Sequence, residues 1–444
     1  MNAPIELNYR IPDGCSAEKA KVLRAAFDYV IPGRIASFHE LGVDLVMGRR
    51  EGYRFWDMDG REFMDFHLNG GTFTLGHRNP ELVAILRQSL ETLDLGNHHF
   101  PSMARASLAM TIARVTPGEL RYTVFTSGGS EANDVAIKSA RYATKRRKIV
   151  ALDNAYHGRT GFSGAAGADA AAIFFKSENP SDFIKVPPGD LDAMERALAH
   201  EDVAGVMIET IPAVAGFVPF SKEYLPAVKA LCERHGSLYI ADEVQSGFGR
   251  TGVMWAISLW NVEPDILVMA KGMSGGLYPM GAAVLSPRAG AWLAENGWGH
   301  VSSGGGAEVG CAVAQRVLEI CSDPKTLAHA VEISDYLDVG LRAIQARHPF
   351  LRAIHRRGLV MGLEFDNPRG GVEMMKSLYD RGLWAIFAGF NSSILQFKPG
   401  TLVDREYCDS ALERVEDAIR VAERRPRGQP VRLVAGGRSE SGSI

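Results

Sequence analysis

The sequence is poor in cysteine and contains no long uninterrupted run of apolar residues. Its 444 residues include five cysteines, an odd number with no Cys-x-x-Cys pair among them, which argues against a disulfide framework and against a zinc site. No run of eighteen uncharged apolar residues is present to cross a membrane, and the N-terminus lacks the pattern of a secretory signal. These absences predict a cytoplasmic protein with no metal site and no membrane partner.

A large excess of charge of either sign is also absent. Lysine and arginine number 49 against 52 acidic residues, giving a net charge of −3, so no nucleic-acid partner is expected. The composition, 46% hydrophobic and 23% charged, is typical of a soluble globular protein. A chain of this length buries a large core and forms two or three units, or one large domain with a smaller one.

Between about residues 80 and 290, short apolar runs alternate with segments of helical periodicity. The predicted strands are Tyr122–Thr126, Ile149–Leu152, Val203–Ile208, Leu238–Ala241, Ile266–Met269 and Ala282–Leu285, and helices are predicted at Ser130–Lys145, Leu191–His200 and Tyr224–Arg234. This alternation predicts an α/β fold with a mostly parallel sheet and helices on both of its faces.

Smaller units are expected on either side of this region. Residues 1–65 contain a helical segment and a hairpin pattern around the Asp-Gly pair at 59–60, which predicts an N-terminal arm and part of a small domain. We expect a large domain over residues 66–305, then a connecting helix and a C-terminal α+β domain over residues 306–425. Residues 426–444 lack apolar periodicity, so a disordered tail is expected there.

Two charged residues are predicted to lie at the carboxyl edge of the sheet, where open α/β folds place their sites. Lys271 follows the apolar run at 265–268. In apolar surroundings a lysine becomes a Schiff-base nucleophile, although a lysine after a strand is more often a solvated surface residue. Asp242 ends the run at 238–241. Its carboxylate suits a protonated ring nitrogen, and capping of the following turn is the alternative.

Two further motifs complete a set that one cofactor explains. Gly128, Gly129 and Ser130 lie between a strand and a helix, where backbone amides form a phosphate cradle, unless this is a plain turn capped by Ser130. Tyr156 offers a ring to stack on a planar cofactor, and a core tyrosine beside a hydrogen-bonded His157 is the alternative. Pyridoxal phosphate requires a phosphate cradle, a stacking ring, a carboxylate at its ring nitrogen and a Schiff-base lysine.

The segment 247–252 matches the dinucleotide fingerprint Gly-x-Gly-x-x-Gly. A Rossmann loop needs its first glycine at the strand end and a helix immediately after the motif. Here four residues separate Asp242 from Gly247, and no helix start follows. The match is interpreted as a false positive, and an oxidoreductase is not predicted.

The segment Ile240–Gly252, together with Ala270-Lys271-Gly272, resembles the class III (ω-) aminotransferases, a subgroup of the fold-type I pyridoxal-phosphate enzymes. The similarity covers roughly residues 30 to 422 and implies a small domain formed by the N- and C-terminal parts. It implies that Lys271 forms the Schiff base and shuttles the proton, and that Asp242 pairs with the ring nitrogen. The other cofactor-binding residues that it implies are Gly128, Gly129, Ser130, Tyr156, His157, Glu209 and Gln245.

The resemblance also implies a homodimer whose cofactor site borrows a hydroxyl group from the partner subunit. Ser303 stands where the family often has this hydroxyl residue as threonine. The sequence leaves open whether two such dimers form a tetramer.

At position 396 the chain departs from the pattern of the glutamate-using members of the family, which place an arginine there. A guanidinium binds a carboxylate through two hydrogen bonds, and the neutral amide of Gln396 does not replace its charge. This departure favours pyruvate or another small acceptor over 2-oxoglutarate. Lys398 lies on the same side of an alternating strand and is interpreted either as an anion-binding residue or as a solvated edge residue.

The first hypothesis is an aminotransferase that moves an amino group from an amine or amino acid to a small keto acid or aldehyde, with Lys271 as the general base. The alternative is an ammonia-lyase or phospho-lyase acting on amino-phosphates or amino-phosphonates, or an amino-acid racemase, on the same scaffold. A non-catalytic binding protein is the third hypothesis, and the presence of both Lys271 and Asp242 argues against it.

Overall fold

The computed structural model describes residues 9–96 and 99–424 of the chain. The expectation of a disordered tail at residues 426–444 lies outside these ranges. The strands are β1 Met47–Glu51, β2 Arg54–Asp57, β3 Glu62–Asp65, β4 Tyr122–Thr126, β5 Lys148–Leu152, β6 Phe183–Val186, β7 Val203–Glu209, β8 Leu238–Asp242, β9 Ile266–Met269, β10 Gly281–Leu285, β11 Leu351–Arg357, β12 Val360–Phe365, β13 Leu383–Trp384, β14 Ile386–Ala388 and β15 Asn391–Phe397.

The helices alternate with these strands through the middle of the chain. They are α1 Ala17–Tyr29, α2 Pro32–Glu40, α3 Leu68–Gly71, α4 Pro80–Ser89, α5 Met103–Val115, α6 Gly129–Thr144, α7 Gly161–Ala166, α8 Asp169–Phe174, α9 Leu191–Leu198, α10 Tyr224–His235, α11 Trp292–Glu295, α12 Glu308–Ser322, α13 Pro324–Arg347, α14 Gly370–Tyr379 and α15 Arg405–Glu423. In the described ranges, none of the helices has the length and apolarity needed to cross a membrane.

A seven-stranded sheet in the order β4-β10-β9-β8-β7-β5-β6 forms the centre of the molecule. Strands β9, β8, β7, β5 and β6 run parallel, and β10 is antiparallel to both β9 and β4. The mostly parallel sheet is therefore confirmed. Each predicted strand is present within one residue at either end. Strand β6 was not predicted, because the half-buried Lys185 interrupts its short apolar run.

The central strands are apolar because both faces of the sheet are covered by helices. Leu238 and Ile240 of β8 pack on the face that carries α6. Tyr239 and Ala241 point to the opposite face, into the core that includes residues of α12. Because successive side chains of β8 point to opposite faces of the sheet, they pack into two separate cores. The central strands are therefore buried on both faces of the sheet.

The N- and C-terminal parts of the chain form the smaller α+β domain together. Strand β3 pairs with the hairpin strand β2 on one side and with β13, in parallel, on the other. A second sheet has the order β11-β12-β15-β14. Phe55 and Phe63 from the N-terminal part share one buried core with Leu337 and Leu395 from the C-terminal part. The Asp-Gly hairpin is confirmed, and the domain boundaries after residues 65 and 305 stay predictions.

Candidate active site

A cavity of about 560 Å³ lies at the carboxyl ends of β7, β8 and β9 and at the start of α6. It brings together nine of the ten residues predicted for the site: Gly128, Gly129, Ser130, Tyr156, His157, Glu209, Asp242, Gln245 and Lys271. The tenth, Ser303, is exposed and is not part of this lining. The strand ends therefore meet at one edge of the sheet, as the fold class requires.

Lys271 begins a short 3-10 turn directly after β9, with a left-handed φ of 43°. This backbone conformation is unusual for a residue with a long side chain, and such strain is often found at functional sites. Burial lowers the pKa of Lys271 to about 8, although the nearby carboxylates of Asp242 and Glu209 raise it. Among the described residues its amine forms no ion pair. An amine with its pKa lowered in this way can act as a nucleophile or as a base.

Asp242 is held firmly at the end of β8. Its Oδ2 accepts hydrogen bonds from His157 Nδ1 at 2.8 Å and from Asn133 Nδ2 at 3.0 Å. Its Oδ1 accepts one from the backbone amide of Val244 at 3.1 Å. The carboxylate is only 4% exposed. With three donors fixing its orientation, Asp242 is a preorganised acceptor for a cationic ring N–H in the cavity.

Glu209 stands next to Asp242 in the sheet, at the end of β7. Its Oε1 accepts a hydrogen bond from the backbone amide of Tyr156 at 2.9 Å, and its Oε2 accepts one from that of Ala213 at 3.3 Å. Burial raises the pKa of Glu209 to about 7. Its carboxylate therefore positions the segment that carries the Tyr156 ring, which lines the cavity.

The N-terminus of α6 provides the predicted cradle for a phosphate. The helix begins at Gly129, and its N-cap, Gly128, makes no side-chain capping hydrogen bond. The first amides of the helix and its dipole are therefore available to an anion. Ser130 Oγ accepts a hydrogen bond from the amide of Arg159 at 3.4 Å. A Cβ on Gly158, at φ 133°, would lie 2.3 Å from this Oγ, so only glycine fits there.

Asn133 and Arg250 support the site but were not singled out by the sequence reasoning. Asn133 is buried on α6 and links Asp242 to the carbonyl of His157, to which it donates at 2.7 Å. The one feature of the sequence that could have pointed to Asn133 is that it is a polar residue among the apolar positions of α6. Arg250 is buried within the glycine motif and donates to the carbonyls of Gln245 and Gly71. The motif thus ties two loops of the site together and forms no dinucleotide turn.

Gly70 lies beside the side chain of Lys271 and, because it has no Cβ, leaves room for the aliphatic part of that side chain. Gly70 has φ 69°, and a Cβ there would lie 2.9 Å from Lys271 Cε and 3.4 Å from Gln245 Oε1. We expect Gly70→Ala to lower kcat/KM about tenfold or more, because left-handed strain of about 1–2 kcal/mol is combined with displacement of the Lys271 amine. Steady-state kinetics and a thermal melt of each variant measure the two effects.

The matched control for this substitution is Gly60→Ala. Gly60 has φ 87°, but a Cβ there meets no atom within 4 Å. Gly60→Ala should therefore show a similar loss of stability with unchanged kinetics. Equal kinetics for the two variants would refute a role of the Gly70 contact in the reaction.

Gln396 and Lys398 lie outside the lining of this cavity. Lys398 is 1% exposed and follows β15, which lies between β12 and β14, so the interpretation as a solvated edge residue is wrong. Its Nζ donates to Gln396 Oε1 at 2.9 Å and lies 5.2 Å from the ring of Phe217. Burial, together with the nearby Lys271 and Arg250, lowers the pKa of Lys398 well below its usual value.

The fold and the site define a pyridoxal-phosphate enzyme of fold type I. The residues present fit the cofactor, because the cavity joins a buried amine, an oriented carboxylate, an uncapped helix N-terminus and an aromatic side chain. Three buried polar atoms of residues in the cavity lining, Asn133 Oδ1, His157 Nε2 and Gln245 Oε1, have no hydrogen-bond partner among the described residues. No group of three or more side chains suited to a metal ion occurs in the described part of the chain.

Comparison with known proteins identifies the family. The family model described as aminotransferase class-III matches residues 37–419. An uncharacterized aminotransferase of Archaeoglobus fulgidus is 41% identical over 407 residues, covering 92% of this chain and 96% of that protein. The putrescine aminotransferase of Pectobacterium atrosepticum is 32% identical over 429 residues, covering 92% and 90%.

A solved structure shares the fold at lower sequence identity. The taurine:2-oxoglutarate aminotransferase of Bifidobacterium kashiwanohense, in complex with PLP and glutamate, superimposes with a TM-score of 0.83 at 23% identity, over 93% of this chain and 99% of that one. The chain belongs to the class III aminotransferase family. It is a pyridoxal-phosphate-dependent transaminase that acts on an amine and a keto acid.

Proposed function

We propose that the amino acceptor is pyruvate or a similarly small keto acid, and that 2-oxoglutarate is a poor acceptor. The observation that carries this proposal is the state of Gln396. Its Oε1 is taken by Lys398 Nζ at 2.9 Å, and its Nε2 lies 3.5 Å from the carbonyl of Phe387. A neutral amide engaged in this way offers no charge and no pair of free donors to a second carboxylate.

The roles of the site residues are also proposed. When bound, pyridoxal phosphate supplies an electron sink for the bond next to the substrate nitrogen. Lys271 would hold the cofactor through Nζ, and its amine would take the proton from the carbon next to the substrate nitrogen. Asp242 would keep the ring nitrogen protonated, and His157 and Asn133 keep Asp242 oriented.

Other side chains hold the cofactor in place. The amides at Gly128 and Gly129, with the hydroxyl group of Ser130, would bind the phosphate. Tyr156, on the segment that Glu209 positions, would pack against the ring, and Gln245 would contact the ring hydroxyl. Each of these residues contributes to the lining of the cavity, and Glu209 accepts a hydrogen bond from the backbone amide of Tyr156.

We infer that the active form is a homodimer to which Ser303 contributes across the interface. Support comes from four exposed apolar side chains, those of Leu95, Phe100, Met103 and Trp298. Tyr278, which lines the cavity, donates to the carbonyl of Leu95 at 2.9 Å. Large exposed apolar patches mark protein interfaces. A cytoplasmic location is supported by the five cysteines, all of which are free.

The visible spectrum of the cofactor-loaded protein tests whether the protein catalyses transamination. The protein is mixed with amines, amino acids and amino-phosphonates without any keto acid. Conversion of one equivalent of cofactor to pyridoxamine phosphate is the expected result. Turnover of many equivalents of donor with an unchanged spectrum would instead identify a lyase or a racemase, and release of ammonia or phosphate would tell which bond breaks.

The acceptor preference gives a quantitative prediction. We expect kcat/KM for pyruvate to exceed that for 2-oxoglutarate by at least about tenfold, since one charge-assisted hydrogen bond contributes about 1.5–3 kcal/mol. Gln396→Arg should narrow this ratio. Gln88→Arg, which adds the same charge on an exposed face of α4, should leave it unchanged. A wild-type enzyme that prefers 2-oxoglutarate would contradict the proposal.

A further inference from the structure

A separate cavity, of about 420 Å³, lies at the carboxyl ends of β5, β6 and β7. We call it the acidic cavity, after Asp153 and Glu223 in its lining. Among the described residues, only Glu209 lines both this cavity and the active-site cavity. Ala155 lines the acidic cavity, whereas the next residue, Tyr156, lines the active-site cavity. A thin wall of chain therefore separates the two.

Most of the wall of the acidic cavity is apolar. Its apolar side chains include those of Leu152, Ala155, Pro212, Ala215, Val218 and Phe220. Such a wall stabilises a ligand by removing apolar surface of that ligand from water. A cavity of this volume has room for a small molecule with a hydrocarbon chain.

The charged groups that line the acidic cavity are carboxylates. Asp153 and Glu223 are exposed, which places them at its mouth, and Glu209 is buried in its wall. The described part of the lining contains no lysine, arginine or histidine. In that part of the chain, the carboxylates of Asp153 and Glu223 make no hydrogen bond or ion pair. Lys185 interacts with the charge of Asp153, but its Nζ donates to the backbone carbonyls of residues 165–167.

A buried polar group in the wall also indicates a ligand. Tyr224 lines the acidic cavity and is only 3% exposed. Burial raises the pKa of its hydroxyl group, and the amide of Gly189 offsets part of that rise. Tyr224 Oη nevertheless has no hydrogen bond of ordinary geometry among the described residues. A buried hydroxyl group without a hydrogen bond is destabilising, so a ligand that bonds to it is favoured.

We propose that the acidic cavity is a second binding site, distinct from the active site, for a cationic amine with a short apolar chain. The ammonium group meets the carboxylates at the mouth, and the chain packs on the apolar wall. Tyr224 Oη is available as a further acceptor. No covalent bond forms or breaks at this site, and its occupancy regulates the reaction at Lys271. The inference goes beyond the proposed function, and binding at this site does not depend on the identity of the amino acceptor.

Glu209 connects the acidic cavity to the active site. Its Oε1 accepts from the backbone amide of Tyr156 at 2.9 Å, and its Oε2 accepts from that of Ala213 at 3.3 Å. A cation in the acidic cavity attracts this carboxylate and thereby weakens both hydrogen bonds. The segment that carries the Tyr156 ring is then held less firmly in the active-site cavity. We therefore expect an amine in the acidic cavity to lower kcat.

Isothermal titration calorimetry of the cofactor-loaded enzyme at pH 8 tests for binding. The probe is N,N-dimethylbutylamine, which is protonated at this pH and, as a tertiary amine, cannot form a Schiff base. The neutral and anionic comparison ligands are n-hexanol and hexanoate. We expect one equivalent of the probe to bind per subunit, about tenfold or more tightly than n-hexanol, because a charge-assisted hydrogen bond distinguishes them. Hexanoate should not bind.

Steady-state kinetics show which cavity the probe occupies. With any acceptor that supports turnover, we expect saturating probe to lower kcat about fivefold or more, a typical coupling between two sites. The KM for the amino donor should stay unchanged. A probe that occupied the active site would instead raise this KM and leave kcat unchanged, and that result would overturn the proposal.

Variants test the role of the carboxylates and of the cavity itself. Asp153→Asn with Glu223→Gln should weaken binding of the probe about tenfold and remove its effect on kcat. Asp192→Asn with Glu233→Gln, the matched control, removes two exposed carboxylates outside the lining and should change neither. Ala215→Phe fills the cavity and should exclude both the probe and n-hexanol. A thermal melt and a cofactor spectrum confirm that each variant is folded and loaded.

The outcomes separate failure of this site from failure of the proposed function. Three results each overturn the assignment while transamination stands: no binding of the probe, equal affinity for the probe and n-hexanol, or unchanged binding when Asp153 and Glu223 are both replaced. If the wild-type enzyme transfers no amino group in the absence of the probe, the proposed function fails, and calorimetry still decides whether the acidic cavity binds an amine.

Discussion

Lys271→Met abolishes amino-group transfer, with kcat expected to fall about 10⁴-fold or more. The variant loses both the covalent attachment point and the general base, and a positioned base alone contributes about 10²–10⁴-fold. Methionine is of similar length and suits the buried site. A coupled assay of the cofactor-loaded enzyme measures the loss, and residual activity within tenfold of the wild type would remove Lys271 from the mechanism.

The same variant should stabilise the apoprotein at neutral pH, which controls for misfolding. Burial lowers the pKa of Lys271 from 10.5 to about 8 in the folded chain. Below pH 8 the amine is protonated in both the folded and the unfolded chain, so the full cost of burying the charge is present. Between pH 8 and 10.5 the folded chain releases the proton first and the cost disappears. Thermal melts should therefore show Lys271→Met above the wild type at pH 7, with the gap closing near pH 10.5.

Asp242→Asn is expected to lower kcat by about 10²–10³-fold, the range found when one preorganised electrostatic group is removed. An amide carries no charge to keep the ring nitrogen protonated. It also turns a donor towards His157 or Asn133, whose donors now meet Asp242 Oδ2. Stopped-flow spectra of the half-reaction with a good donor separate this chemical step from product release.

Asp265→Asn is the matched control for this loss. Asp265 stands before β9 and accepts from Lys229 Nζ and the amide of Tyr239, both far from the cavity lining. Asp265→Asn should lower the melting temperature without changing kcat. If Asp242→Asn reacts within threefold of the wild type, its carboxylate has no electronic role.

The sheet and its carboxyl edge were predictable because they follow from local patterns. Apolar runs of strand length place Asp242 and Lys271 at strand ends, and parallel strands bring those ends together. The glycine cradle follows from the same reasoning, since a strand, a glycine pair and a helix occur in sequence. Nine of the ten predicted site residues therefore line one cavity.

The features that were missed depend on contacts between distant parts of the chain. Asn133 bonds to Asp242 across 109 residues, and no local pattern announces such a partner. The burial of Lys398 depends on β14, which covers the side of β15 that was open in the sequence reading. A further cavity of about 500 Å³, next to the active-site cavity, draws its walls from α1, α2, β2 and β13. Sequence periodicity shows which face of a single helix or strand is buried, but it does not show which other element packs against that face.

The pairing of β3 with β13 joins residue 64 to residue 383. All seven strands of the central sheet lie between residues 122 and 285, so a growing chain completes that sheet long before β13 leaves the ribosome. Contacts of such wide sequence separation form late, because a long loop must first be closed. During synthesis the edge of β3 stays unpaired until β13 has been made. An unpaired strand edge is a site of aggregation. We therefore expect translation speed and chaperone access after residue 285 to affect how much of this enzyme reaches its native state.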